Sequence, residues 1–102
     1  MTLDYLLFDA SEGDDGTALF DALASVLPEN AAAVEAEIAA VLDWAEATFP
    51  GRRGAVEEGG EWDADLQVVP DDGGRRRSYA LSISGTPTFG NAFREQFAAS
   101  LA

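Results

Sequence analysis

The chain of 102 residues contains no cysteine, no histidine and no lysine. These absences exclude disulfides and remove the side chains that most often bind zinc, shuttle protons near neutral pH, or act as thiolate and Schiff-base nucleophiles. Chemistry in this protein must therefore rest on carboxylates, hydroxyls and arginine. We accordingly expect no catalytic residues, no metal site and no cofactor.

Positive charge is scarce as well. Six arginines face nineteen aspartates and glutamates, for a net charge of −13. Proteins bind DNA, RNA and anionic lipid mainly by neutralising phosphate with lysine and arginine. The composition therefore argues against nucleic-acid and membrane partners. Arginine in place of every lysine, with abundant alanine and glycine, indicates a bias of genomic base composition.

The charge is also unevenly distributed along the chain. Residues 1–74 hold eighteen acids and two arginines (−16), whereas residues 75–102 hold four arginines and one acid (+3). Such acidity serves solubility in many proteins. It also fits a basic protein partner, mimicry of a nucleic acid, or a salt-loving host.

Long hydrophobic runs are missing too. No apolar segment approaches the roughly 20 residues needed to span a bilayer, and the first residues lack the basic segment of a signal peptide. We therefore expect a cytoplasmic protein without a membrane anchor. The length predicts one domain over residues 1–102 that folds unaided.

A short internal similarity organises the chain. Asp-Asp-Gly occurs at 14–16 and again at 71–73, and each copy is followed by an apolar segment, a proline and a stretch with helical periodicity. The pattern predicts a repeated strand–turn–strand–helix unit over residues 1–50 and 60–102.

The second unit gives the clearer hairpin. Asp72-Gly73 is typical of a two-residue turn, and centring the turn there places apolar side chains on one face of both strands. The predicted pairs are Leu66–Tyr79, Ala64–Leu81 and Trp62–Ile83. The other face receives polar residues, including Asp63 and Asp65, and is expected to face water.

The first unit is harder to interpret. Residues 3–9 read as a strand with apolar side chains on both faces, which predicts a central position in the sheet. Residues 17–27 fit both a strand and a helix. The internal similarity favours the strand, and the alternative is a helix there, giving the order βααββα.

Both long helices have clear signals. Pro28 is expected at the first position of one helix, which ends at Pro50-Gly51, and Thr86 or Thr88 is expected to cap the other. Phenylalanines at four-residue spacing, continuing to Leu101, mark the buried face of the second helix. Together these elements predict an α+β two-layer sandwich, ββαββα, with a four-stranded mainly antiparallel sheet and two helices on one face.

The loop over residues 51–60 is the first candidate site. It contains Arg52, Arg53, Glu57 and Glu58, and long loops often carry function. The alternative is a plain connector in which the arginines offset the dipole of the preceding helix. Its glycines match no nucleotide-binding motif.

Two further candidates for partner binding lie elsewhere. The run Arg75, Arg76 and Arg77 follows the second hairpin turn, where it either docks an acidic group or covers acids of its own chain. Trp44 lies about 100° from the centre of the apolar stripe of its helix. We interpret it as an interface anchor or as a residue at the rim of the core.

These observations favour a non-catalytic protein-interaction module, such as an adaptor, an inhibitor or a chaperone-like protein, with a basic partner. Pairing of two edge strands offers a route to a homodimer. One alternative is a carboxylate-based or metal-dependent enzyme that uses Asp63, Asp65, Glu57 or Glu58. The other is a nucleic-acid mimic.

Overall fold

The computed structural model describes residues 2–102 and contains a four-stranded antiparallel sheet with two α-helices. The elements are β1 (Phe8–Glu12), β2 (Ala18–Val26), α1 (Ala31–Thr48), β3 (Trp62–Asp71), β4 (Arg76–Gly85) and α2 (Pro87–Gln96). This order confirms the predicted α+β sandwich of ββαββα type.

The ambiguous residues 17–27 form a strand, so the helical alternative is wrong. In β2, Ala18, Phe20 and Ala22 are buried, and the residues between them are exposed. The strand pairs with β1 on one side and with β4 on the other. Tertiary pairing on both edges therefore overrides the helix preference of its alanines.

The strand order is β1-β2-β4-β3. The second strand of each hairpin lies in the centre, and the two central strands pair antiparallel. This is the arrangement that two ββα units related by a local twofold axis would give. It places β1 at an edge, so the expectation of a central first strand was wrong.

The segment before β1 is fixed by hydrogen bonds to a side chain and not by pairing with another strand. The carboxylate of Glu37, on α1, accepts hydrogen bonds from the backbone N–H groups of Asp4 (2.8 Å), Tyr5 (3.0 Å) and Leu6 (3.1 Å). The strand expected at residues 3–9 therefore begins only at Phe8. Leu6 and Phe8 are buried and Tyr5 packs partly buried against the core, whereas Leu7 is 55% exposed.

The hairpin of β3 and β4 is offset by two residues from its expected register. Leu66 pairs with Leu81, and Val68 pairs with Tyr79. The turn needs four residues, because Asp72 (φ 51°) and the two glycines after it all adopt positive φ. A shift of two preserves the face of every side chain, so the predicted separation of apolar and polar faces is correct.

The helix boundaries follow their local signals closely. Pro28 opens a short 3-10 helix, and α1 begins three residues later, at Ala31. Thr86 caps α2, where its hydroxyl accepts a hydrogen bond from the N–H of Phe89 (3.2 Å). Thr88 lies inside the helix, and Leu101 lies beyond its end.

Both helices bury their apolar faces against the same side of the sheet. Phe93 of α2 lies at the centre of this core, and its ring is 5.1 Å from that of Phe8 and 4.1 Å from that of Phe20. Val34, Ile38 and several other α1 side chains belong to the same cluster. The opposite side of the sheet has no helix over it.

Within residues 2–102, neither helix combines the length and the apolar character that a bilayer crossing requires.

Candidate interaction surface

The uncovered side of the sheet is the candidate site. It consists of the odd-numbered residues of β1, β2 and β3 and the even-numbered residues of β4, which the strand pairing places on one surface. We call this surface the open face. Alternation along each strand separates it from the helix-covered side.

A groove runs along the middle of the open face. Its floor is β4 from Ser78 to Ser84, where the outward side chains are all small, and the outward Arg76 lies beyond it at the turn end. The small side chains are Ser78, Ala80, Ser82 and Ser84. The neighbouring strands β2 and β3 carry longer side chains, which stand higher than this floor and form the walls.

One end of the groove is apolar and encloses about 410 Å³. Leu23 of β2 and Val69 of β3 line its walls, and Ala80 lies on the floor between them. Leu23 is 78% exposed and Val69 is 52% exposed. Exposed aliphatic side chains that face each other across a shared groove floor are typical of a surface that a partner covers.

The other end is acidic and encloses about 260 Å³. Asp21 and Asp65 lie on either side of Ser82 in the sheet register. The hydroxyl of Ser82 donates a hydrogen bond to Asp21 Oδ1 (2.7 Å). Within the described residues neither carboxylate forms an ion pair, so both are available to a cationic ligand.

Arg53 connects the candidate loop to the rim of this acidic end. Its Nε donates to Asp63 Oδ1 (3.1 Å), its Nη2 donates to the carbonyl of Ala64 (3.2 Å), and its guanidinium lies 5.1 Å from the ring of Trp62. Arg52 donates to the carbonyl of Gly59 (3.1 Å). Both arginines therefore bind groups of their own chain, although about half of each side chain stays exposed to solvent.

The carboxylates of the enzyme alternative do not converge. Glu57 and Glu58 lie in a short 3-10 helix of the loop, and Glu58 lines a different cavity from Asp63 and Asp65. In the part of the chain that the structure describes, no three acidic side chains are placed to hold a metal ion.

The arginine run after the hairpin turn contacts its own chain. Arg76 donates to the hydroxyl (3.1 Å) and the carbonyl (2.6 Å) of Ser25, and Arg77 lies 3.4 Å from Glu35 of α1. Arg75 is exposed in the turn. For Arg76 and Arg77 these contacts favour the interpretation that they stabilise the fold.

Tyr79 completes a small polar group on the helix side. Its phenol donates a hydrogen bond to Glu35, next to Arg77. Burial raises the pKa of Tyr79, and the hydrogen bond to Glu35 raises it further. The pKa of Arg77 is raised by its interaction with Tyr79 and then by Glu35, so Arg77 stays protonated and the Tyr79 phenol stays neutral at neutral pH.

Trp44 lies on the helix layer, away from the open face. Its ring is half-buried and packs 5.1 Å from that of Phe97 and 5.9 Å from that of Phe89. The predicted partner-binding residues thus occupy three places: the helix layer, the loop at one end of the β3–β4 hairpin, and the turn at the other. The two ends of that hairpin are about 30 Å apart by strand rise.

Sequence reasoning missed the groove. The signal was present, since every second residue from Ser78 to Ser84 is small and the flanking strands carry acids and large aliphatics. This pattern indicates a groove only when β4 is known to lie between β2 and β3.

Comparison with protein-family models, curated proteins and solved structures finds no match to this chain. The functional argument consequently rests on the geometry and charge of the open face.

Proposed function

We propose that the protein is a non-catalytic protein-interaction module of the cytoplasm, of the adaptor, inhibitor or chaperone-like kind. Its open face binds a positively charged surface of a partner protein. The observation that carries this proposal is a complete sheet face that the helices leave uncovered. It has an exposed leucine near two carboxylates that form no ion pair within residues 2–102.

The apolar end of the groove supports binding by burial. Leu23 is the most exposed large aliphatic side chain in the described part of the chain. Covering apolar surface releases about 25 cal/mol for each Å² removed from water. An aliphatic centre within a polar rim is the common anatomy of protein interfaces.

The acidic end of the groove determines the sign of the charge that a partner must carry. Asp21 and Asp65 lie two residues along their strands from Leu23 and Gln67. Two copies of the chain, each with a net charge of −13, would repel through their open faces. A basic surface is attracted and steered toward the same groove.

The proposal is tested by Leu23→Asp. The control is Ala39→Asp, which adds the same charge on an exposed position of α1. We expect wild type and control to capture the same protein from lysate at low salt, and Leu23→Asp to lose it, because a charge in the apolar end prevents burial. Equal capture by all three would contradict the proposal.

A second pair of variants tests the charge. Asp65→Arg and Asp43→Arg each change the net charge from −13 to −11, but only Asp65 lies on the open face. We expect binding of the captured protein to weaken at least about tenfold with Asp65→Arg and to stay near wild type with Asp43→Arg. Equal weakening would mean that only total charge matters. Release of the partner by duplex DNA would support nucleic-acid mimicry instead.

A further inference from the structure

The outer edge of β3 is covered only at its beginning. The N–H of Gly54 donates to the carbonyl of Trp62 (2.8 Å), and Arg53 Nη2 donates to the carbonyl of Ala64. These two contacts show that the even-numbered residues of β3 direct their backbone groups away from β4. Alternate residues of an antiparallel strand share this direction. The backbone N–H and C=O groups of Leu66 and Val68 therefore point away from β4 as well.

Leu66 and Val68 form an open stretch of backbone. Within residues 2–102 their outward N–H and C=O groups have no backbone or side-chain partner. The next outward residue is Pro70, which has no N–H to offer. The open stretch therefore presents two donors and two acceptors between the Arg53 contact and the proline.

The side chains along this stretch are unusually apolar for an edge strand. Leu66 is 42% exposed and Val68 is 45% exposed, although both lie on the helix side of the sheet. Neither belongs to the core that the two helices cover. Exposed apolar edge strands are templates for pairing with another chain.

The other edge of the sheet, β1, differs from β3 both in the cover of its backbone and in the character of its side chains. The N–H of Ala102 donates to the carbonyl of Phe8 (2.8 Å), and Leu101 forms a parallel bridge with Phe8. The rest of β1 is short and carries Asp9, Ser11 and Glu12. Charge and partial cover protect β1, whereas β3 is apolar and open.

We propose that an extended segment of the partner adds to this edge as a fifth strand. The inference rests on the proposed function for the sign of the partner's charge. Residues of the segment opposite Leu66 and Val68 would be apolar, and those on the other side, beside Asp65, would be basic. The recognised chemistry is thus a strand of alternating apolar and basic residues, about 20 Å long from Asp65 to Asp71.

A second copy of the chain fits this edge poorly. Antiparallel self-pairing centred on Gln67 would place Asp63 of each copy opposite Asp71 of the other. It would also join two chains that each carry a charge of −13. Like charges directly opposite each other destabilise strand pairing, so a basic segment is the favoured occupant.

Val68→Pro and Val68→Ala separate backbone pairing from side-chain packing. Both variants remove the valine, but only proline removes the outward N–H, and it spares the bonds to β4 just as Pro70 does. The probe is a synthetic peptide of alternating valine and lysine, titrated by NMR. We expect Val68→Ala to weaken binding several-fold and Val68→Pro to weaken it at least tenfold more. Equal affinities for two folded variants would overturn strand addition.

Amide hydrogen exchange of the wild-type protein gives a second readout. With the peptide bound, exchange at Leu66 and Val68 should slow, while Gln67 and Val69, whose N–H groups point to β4, should change little. A peptide of the same composition with helical spacing should leave all four unchanged.

The remaining outcomes distinguish the two proposals. Peptide-induced shifts confined to Leu23 and Ala80, without new protection at Leu66 and Val68, would refute strand addition and leave the open-face proposal standing. Protection of Leu66 and Val68 in the free protein, with a dimeric mass by light scattering, would show that a second copy occupies the edge and would overturn the proposed occupant.

Discussion

The two sides of the sheet use the same four strands in opposite ways. On the helix side, Phe8, Phe20 and Leu81 are at most 1% exposed, whereas on the open face Leu23 and Val69 are more than half exposed. Strand alternation places these sets one residue apart in sequence. The comparison indicates that the residues that hold the fold and those available to a partner can be changed separately.

The charges divide in a similar way. On the helix side, Arg77 and Glu35 compensate each other, and Arg76 reaches Ser25 at the turn end of the open face. At the acidic end of that face, Asp21 and Asp65 have no such partner within the described residues. An interaction surface can retain such groups because the partner supplies the missing charge.

Removal of a helix-side ring should have the largest effect. Phe93 is fully buried and contacts the rings of Phe8 and Phe20, so Phe93→Ala should lower the free energy of unfolding by about 3–5 kcal/mol. The open-face counterpart, Leu23→Ala, should change it by less than about 0.5 kcal/mol. Urea denaturation measures both, and comparable losses would refute the separation of the two sides.

Adjacent residues of β4 offer a sharper version of the same test. A Cβ atom at Gly85 would lie 2.3 Å from Cδ2 of Phe89, so Gly85→Ala should cost about 1–3 kcal/mol through overpacking. The neighbouring Ser84→Ala, on the groove floor, should be nearly neutral. Thermal unfolding compares the two, and a neutral Gly85→Ala would mean that Phe89 moves freely in the core.

The smallest effect concerns pH. Burial raises the pKa of Tyr79, so the neutral phenol favours the folded state. This stability is fully present below the unfolded pKa of about 10 and is lost as the pH rises through the folded pKa. The free energy of unfolding of wild type should therefore fall more steeply above about pH 9 than that of Tyr79→Phe. Parallel pH profiles would contradict this assignment.

The sequence predicted the elements better than their arrangement. Alternation of Trp62 with Asp63 was enough to assign that strand and its faces, because burial imposes a period of two. The cap at Thr86 was equally local. Each of these signals lies within a few residues of the feature that it specifies. For residues 17–27 the internal similarity, and not the alternation, favoured the strand over the helix.

The errors have long-range causes. The start of β1 depends on Glu37, more than thirty residues away along the chain, and no local pattern reveals that contact. The hairpin register depends on Asp72, a non-glycine residue with positive φ, which lengthened the turn. The groove depends on strand order, which pairs β2 with β4 across more than fifty residues.

The most direct test measures Leu23→Asp for both stability and binding. If the open face serves binding alone, the free energy of unfolding of this variant should stay within about 0.5 kcal/mol of wild type, while capture of the partner is lost. A loss of stability approaching that of Phe93→Ala, or undiminished capture by a folded variant, would contradict the division between a face that holds the fold and a face that binds.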